Sequence, residues 1–405
     1  MIGADGRAAA TSGHTERFFA SAPRGLEHLL LEEVSSLGGV APAAVPGGVA
    51  FSGDWTTCYR VNFWSRIASR VLWRIAAFDY QDGQDVYAAA GAIDWLQYFT
   101  VERTLRVNVT AQRSPLQSLE FATLRIKDAI CDRFRDRVGR RPDVDRAHPD
   151  VRVHAFLEGS HATLYLDTSG EALFKRGWRH GATDAPLREN LAAGIIKLTQ
   201  WKPDEPLLDP MCGGGTLLVE AAAMARARAP GARRSFGFEK LLVLDGPAWE
   251  AVRAEEKTRD QQLNPRLFGS DTDPRALKAA RRNLAEARIE RWVRLELNDI
   301  LERSAPGPSG VLVTNPPYGE RMGSADELAG FYPRLGDALK RKFAGWRCWF
   351  FTADLRLPRL IHLEPSARTP LWNGALECRL YGFEIVEGSR RGGRDPGAAS
   401  GPAST

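Results

Sequence analysis

Apolar positions along this chain change their period more than once. Leu26, Leu29, Leu30, Val34 and Leu37 recur at helical spacing and Gly38-Gly39 stops the run, so residues 24–37 are expected to form an amphipathic helix. Short apolar runs at 17–22, 45–51 and 71–78, with a second helix opened by Asp54 as N-cap, complete a strand-helix-strand-helix-strand order. That order predicts a small α+β module of ferredoxin-like type over residues 17–78. A second module is expected over 79–168. It has a helical segment at 86–99, then a strand with Leu105, Val107 and Val109 on one face and Arg106, Asn108 and Thr110 on the other. A long helix at 118–138 and strands at 151–157 and 161–168 close it. From Leu187 onward, helices alternate with short strand-like runs at 206–208, 267–270, 293–297, 311–314 and 346–352. This is the pattern of a parallel sheet covered by helices on both faces, with an antiparallel hairpin around Asn373-Gly374 at its end.

The residues that follow these runs carry the chemistry. The run at 311–314 passes into Asn315-Pro316-Pro317-Tyr318, where two prolines must end a sheet ladder and hold an amide and a ring at its edge. Taken alone, the tetrapeptide is as readily a plain turn. The strand at 206–208 runs into Asp209-Pro210-Met211-Cys212-Gly213-Gly214-Gly215-Thr216 and then an apolar helix. Glycines at a strand-to-helix turn let a ligand approach the backbone and leave helix N-terminal amides free for it. Leu218 stands where a dinucleotide fingerprint needs glycine, and Gly-Lys-Ser/Thr is missing, so an adenosine without pyrophosphate fits better. The next strand ends in Asp271-Thr272-Asp273-Pro274. Asp271 can accept ribose hydroxyls, while Asp273 can also serve as helix N-cap before Pro274. The third strand ends in Asn298-Asp299, an acceptor within reach of an adenine amino group.

Composition narrows the picture further. At 405 residues with 43% hydrophobic and 26% charged residues, the chain is expected to form two or three globular domains. It has neither an apolar run of roughly 18 residues nor a signal-peptide pattern at its start, so we expect a cytoplasmic protein. The five cysteines are scattered, which predicts free thiols and no metal site. A net charge of +5 permits a polyanionic partner. Two stretches bear on that partner. On the long helix, Arg125 and Lys127, with Arg140 and Arg141 just beyond its end, make either a solvated helix surface laced with Asp128, Asp132 and Asp136 or a nucleic-acid surface. Lys175, Arg176, Trp178 and Arg179 make either an interdomain linker over 169–184 or a strip that contacts RNA backbone and bases.

With these motifs in place, the chain resembles class I S-adenosylmethionine-dependent methyltransferases of the N-P-P-Y group. Arg24-Gly25-Leu26-Glu27, Trp64-Ser65-Arg66, Lys175 to Arg179, Asp209 to Thr216 and Asn315 to Arg321 more narrowly resemble the bacterial THUMP-domain 23S rRNA guanine-N2-methyltransferases. The resemblance implies an α/β fold: a class I (Rossmann-like) methyltransferase domain over 185–388, preceded by α+β ferredoxin-like and THUMP modules, with disordered tails at 1–16 and 389–405. It implies S-adenosyl-L-methionine as cofactor, bound by Asp209, Pro210, Gly213, Gly215, Thr216, Asp271, Asp273 and Asp299, and catalysis by Asn315, Pro316 and Tyr318. The family commonly has serine where Gly214 stands, which implies a missing side-chain contact to the methionine moiety. The partner implied is 23S rRNA or a large-subunit precursor. Transfer RNA is an alternative substrate, protein glutamine methylation is another, and a non-catalytic RNA-binding assembly factor is a third. A fragment beginning near Ser169 is expected to bind the cofactor without the N-terminal modules. Residues 226–265 receive no role.

Overall fold

The structure, a computed structural model, describes residues 15–179, 187–259, 264–316 and 325–386. Their framework is two seven-stranded sheets. The first contains β1 (Glu16–Ser21), β2 (Val40–Val45), β3 (Gly48–Gly53), β4 (Arg70–Asp79), β5 (Leu105–Gln112), β6 (Val151–Glu158) and β7 (His161–Asp167), in the order β2-β3-β1-β4-β7-β6-β5. Four helices accompany it: α1 (Glu27–Ser36), α2 (Trp55–Trp64), α3 (Gly83–Ala92) and α4 (Leu119–Val138). Local chemistry sets their ends. Asp54 accepts the Thr57 amide at 2.7 Å to start α2, Ser118 accepts the Phe121 amide at 3.1 Å to start α4, and Gly139, at φ 72°, stops α4.

Where the sequence predicts two successive modules, the structure joins them in one sheet. β4 is the shared strand. Its first residues, Arg70 to Trp73, pair with β1, and Leu72 to Asp79 pair with β7, with a bulge between Arg74 and Ala76. Two further differences have plain causes. β2 is a run of small apolar residues with Pro42 inside it, so it shows no apolar-polar alternation and is admissible only as the mostly exposed edge strand it forms. The helix expected over 86–99 ends at Ala92, and Trp95–Gln97 form a 3-10 turn that buries Trp95.

The second sheet contains β8 (Leu207–Asp209), β9 (Leu267–Asp271), β10 (Val293–Leu297), β11 (Gly310–Thr314), β12 (Trp346–Thr352), β13 (Ala367–Asn373) and β14 (Leu376–Glu384), in the order β10-β9-β8-β11-β12-β14-β13. Strands β8 to β12 run parallel and β14 is antiparallel to both its neighbours. The helices are α5 (Glu189–Leu198), α6 (Thr216–Ala225), α7 (Gly246–Arg259), α8 (Pro274–Glu286), α9 (Ala325–Lys342) and α10 (Leu357–Leu360). Chain order turns from one side to the other between β8 and β11, which is where open parallel sheets hold ligands. Among the described residues no helix is long and apolar enough to cross a membrane.

Residues 226–259 acquire a structural role. They carry Phe236, Phe238 and Trp249 against α2, where Tyr59 lies 4.7 Å from the Phe238 ring and Phe63 lies 5.5 Å from Trp249. Ion pairs of Arg60 with Glu255 (2.7 Å) and Lys240 with Asp150 (2.5 Å) flank the rings. One hydrophobic core therefore runs from the first sheet into the second.

Candidate active site

Because β8, β9, β10 and β11 are parallel, their C-terminal ends share one edge, and the residues singled out by motif gather there. Asp209 ends β8. The turn after it is held by Cys212 donating its amide to the Ser270 carbonyl at 2.9 Å and by Gly215 donating to the Cys212 carbonyl at 2.7 Å. Gly213 and Gly215 have φ of 51° and 79°, a backbone that side chains other than glycine rarely adopt. At Gly215 a Cβ would also come within 3.3 Å of Ala280 on α8. Pro210 is buried beneath this turn, and Thr216 opens α6.

Asp271 ties two strand ends together. Its Oδ2 accepts the Gly213 amide at 2.9 Å and its Oδ1 accepts the Asp273 amide at 3.0 Å. Each oxygen keeps a lone pair for another donor. Asp273 accepts the Arg275 amide at 2.8 Å and is exposed, so its carboxylate caps α8. Asp299 accepts the Leu301 amide at 2.9 Å in the turn after β10.

At the end of β11, Thr314 is fully buried and its hydroxyl donates to Asp209 Oδ1 at 2.7 Å. The next residue is Asn315, whose Oδ1 is buried and has no hydrogen-bond partner among the described residues. Pro316 follows, buried. Tyr318 lies outside the described residues.

Asp209 is only 2% exposed, and burial pushes its carboxyl up to about 7, against the Thr314 hydroxyl and Met211 amide that favour the anion; nearby Asp271 adds to the rise. This has a sign that can be measured. The folded state holds the Asp209 proton to about pH 7 while the unfolded chain releases it near 3.8, so Asp209 makes stability fall as pH rises between those values and level off above them. Asp209→Asn removes the titration. In urea unfolding, the stability of the variant relative to wild type should rise across that window, by something on the order of 2 to 4 kcal/mol. A difference that stays flat with pH would mean that Asp209 is ionised throughout.

The sequence gives no signal for several contacts at this edge. Besides the Asp209–Thr314 bond, Asn283 on α8 donates to the Gly214 carbonyl at 2.9 Å, and a Cβ at Gly214 would come within 3.3 Å of that same amide nitrogen. Arg179 binds Glu189 at 2.9 Å and donates to the Thr216 hydroxyl at 2.9 Å.

Two of the cationic and aromatic candidates need correction. Arg176 and Trp178 are each 4% exposed, and Ser169 and Leu173 are buried beside them, so the segment packs as a strap between the sheets where the sequence allowed a linker or an RNA-contact strip. Arg176 is buried because Glu220 supplies a carboxylate at 3.3 Å. Lys175 remains exposed, paired with Glu171 at 2.5 Å. On the long helix, Lys127 pairs with Asp128 at 2.8 Å, Arg141 pairs with Asp132, and Arg125 lies 4.4 Å from the Tyr87 ring. Arg140, beyond the helix, pairs with Glu102 at 3.4 Å.

Comparison with known proteins agrees with this layout. Residues 17–72 match the RlmL ferredoxin-like domain, 80–167 the THUMP domain, and 176–382 the UPF0020 family, described as an RMKL-like methyltransferase domain. The ribosomal RNA large subunit methyltransferase K/L of Syntrophotalea carbinolica is 42% identical over 384 residues, covering 92% of this chain and 54% of that protein. The chain thus spans about half the length of the K/L relatives it matches. The Synechocystis sp. protein slr0064 is 37% identical over 381 residues, covering 93% of this chain and 98% of that one. The crystal structure of SMU.472 in complex with SAH superposes with a TM-score of 0.83 at 30% identity, covering 91% of this chain and 98% of that one.

Proposed function

The chain belongs to the RMKL-like methyltransferase family, and on that premise we propose that it transfers a methyl group from S-adenosyl-L-methionine to the exocyclic N2 of a guanine in 23S ribosomal RNA. The observation that carries the nitrogen acceptor is the orphaned Asn315 Oδ1. A buried acceptor without a partner costs about 1 to 3 kcal/mol, a deficit that an incoming N–H group removes.

The glycine turn fits the cofactor. Gly213 has open space where a Cβ would stand, Gly215 combines a left-handed backbone with Ala280 3.3 Å from its Cβ position, and Asp271 stands beside Gly213, accepting its amide. When bound there, S-adenosyl-L-methionine supplies an electrophilic methyl on a sulfonium. The chain's own residues do the rest. Asp271 would accept ribose hydroxyls, Asp299 would hold the adenine amino group, and the turn's backbone amides would hold the methionine moiety. The Asn315 side-chain oxygen and the Pro316 carbonyl would accept hydrogen bonds from the two N–H groups of the guanine amine and turn its lone pair out of conjugation; as the N–C bond forms and the S–C bond breaks, S-adenosylhomocysteine is released and the N–H proton, now acidic, passes to solvent. Tyr318 takes the role of a stacking ring for the extruded base.

Asp271→Ala should weaken S-adenosylhomocysteine binding by about 1 to 3 kcal/mol in calorimetry, since it removes the ribose acceptor and frees the Gly213 amide. Unchanged affinity would remove Asp271 from the site. The function itself is tested by nucleoside mass spectrometry of RNA from a deletion strain. Loss of N2-methylguanosine from 23S rRNA is expected; loss from transfer RNA would reassign the substrate, and loss from neither would overturn the reading.

A further inference from the structure

The face of the first sheet that lies opposite its helices has no part in the site described above. Along β1, Phe18 and Ala20 enter the core while Arg17, Phe19 and Ser21 point the other way. The same alternation sends Tyr165 on β7, His154 and Phe156 on β6, and Arg106, Asn108 and Thr110 on β5 to that outer face. Phe19, Phe156 and Tyr165 are half-buried and belong to neither hydrophobic core. The Phe19 and Tyr165 rings are 6.4 Å apart.

Cations surround the rings. Arg74 stands opposite Tyr165 in the ladder, and Arg17 is next but one to Phe19 on the same strand face. Among the described residues neither Arg17 nor Arg74 has a carboxylate partner, whereas Arg70 and Arg152 on this face are tied to Asp167 and Glu171. The two unpaired arginines line an open depression of about 240 Å³ where β4 leaves β1, together with Ala76, Ala77 and Glu16, whose carboxylate accepts the Trp73 ring N–H at 3.0 Å.

We propose that this open sheet face is a stacking platform for unpaired nucleotides of single-stranded RNA, with Phe19, Tyr165 and Phe156 under the bases and Arg17 and Arg74 on the backbone. It rests on the reading that the substrate is RNA, and names the part of that substrate held away from the reacting base. Rings spread over neighbouring strands hold splayed bases at separate positions, a geometry that a duplex, with its bases stacked inside, cannot use. The interleaved arginine, histidine, asparagine and threonine suit a polyanion better than the contiguous apolar surface of a protein interface.

The test uses the full chain, a short labelled oligo(U) strand, a labelled RNA duplex, and a double variant, Phe19→Ala with Tyr165→Ala. Fluorescence anisotropy should show oligo(U) binding weakened about fivefold to a hundredfold for each ring removed, with duplex binding and calorimetric affinity for S-adenosylhomocysteine unchanged. Tyr165→Phe, which keeps the ring, should bind as wild type. Equal oligo(U) binding by wild type and the double variant overturns the platform, and so does an equal loss on both RNAs, because stacking is then not what the face supplies. Sedimentation showing that wild type pairs through this face and the variant does not would assign it to self-association instead. If wild type binds neither RNA, the RNA substrate reading falls first and the platform with it.

Discussion

Asn315→Ala should lose on the order of a hundredfold to a thousandfold in single-turnover methyl transfer to the proposed substrate, 23S rRNA, by analogy with deleting one preorganised polar group that acts in the transition state. The structure says why this amide is preorganised. β11 is paired on both sides, to β8 and to β12, and its last residue, Thr314, is fully buried with its hydroxyl on Asp209. Pro316 fixes the backbone immediately after. The Asn315 oxygen is thus held in place without a partner among the described residues, poised for a substrate N–H. If the acceptor is the proposed guanine amino group, a poor nucleophile until its hydrogens are held, the loss belongs in the methyl-transfer rate, with affinity for S-adenosylhomocysteine retained. Asn315→Asp keeps an acceptor oxygen and should retain more activity than Asn315→Ala. Equal rates for Asn315→Ala and wild type would sink the mechanism.

Much of this edge was legible in the sequence because its signals are local. An apolar run followed by glycines, by acid-x-acid-Pro, or by Asn-Pro-Pro reports where a strand ends within a few residues. The Asn373-Gly374 hairpin was legible for the same reason, and Gly374 sits at φ 66°. What escaped depends on partners far away in sequence. Arg176 reads as a surface cation because a buried guanidinium is costly without a carboxylate, and the carboxylate, Glu220, is 44 residues away on α6. Trp178 next to cations has the composition of a stacking strip, yet burial decides its role, and composition does not report burial. β4 reads as the last strand of one module, while its pairing with β7 depends on residues nearly a hundred positions later. The open face was half legible: the alternation of Arg106, Asn108 and Thr110 was clear on β5, but only the strand order places Phe19 beside Tyr165.

Glu220→Ala should destabilise the whole chain by about 3 to 5 kcal/mol, the cost of leaving buried charge without its counter-ion. Glu220 is 2% exposed on α6, directly after the glycine turn. Its Oε1 faces Arg176 Nε at 3.3 Å and its Oε2 faces Arg66 Nη1 at 3.7 Å, the second an ionic contact too long for a hydrogen bond. Arg176 also donates to the Arg66 carbonyl at 2.6 Å, and Arg66 donates to the Ala223 carbonyl at 2.9 Å. One carboxylate therefore balances a guanidinium from the strap and another from the first sheet's unit, at the joint where the two units meet. Burial pulls the Arg66 guanidinium below its ordinary range, and Glu220 is the largest influence opposing that shift. Arg176→Ala combined with Glu220→Ala should cost less than the sum of the two single changes, because the pair is coupled. Urea unfolding of these variants should show one cooperative transition at a lower midpoint. An unchanged midpoint for Glu220→Ala would mean that the two guanidiniums are satisfied without it. The same contacts revise the expectation for a fragment beginning near Ser169: cut there, Arg176 loses the Arg66 carbonyl, and Phe238 and Trp249 lose Tyr59 and Phe63. Such a fragment should unfold before its cofactor affinity can be measured, and a folded, cofactor-binding fragment would show that the shared core is dispensable.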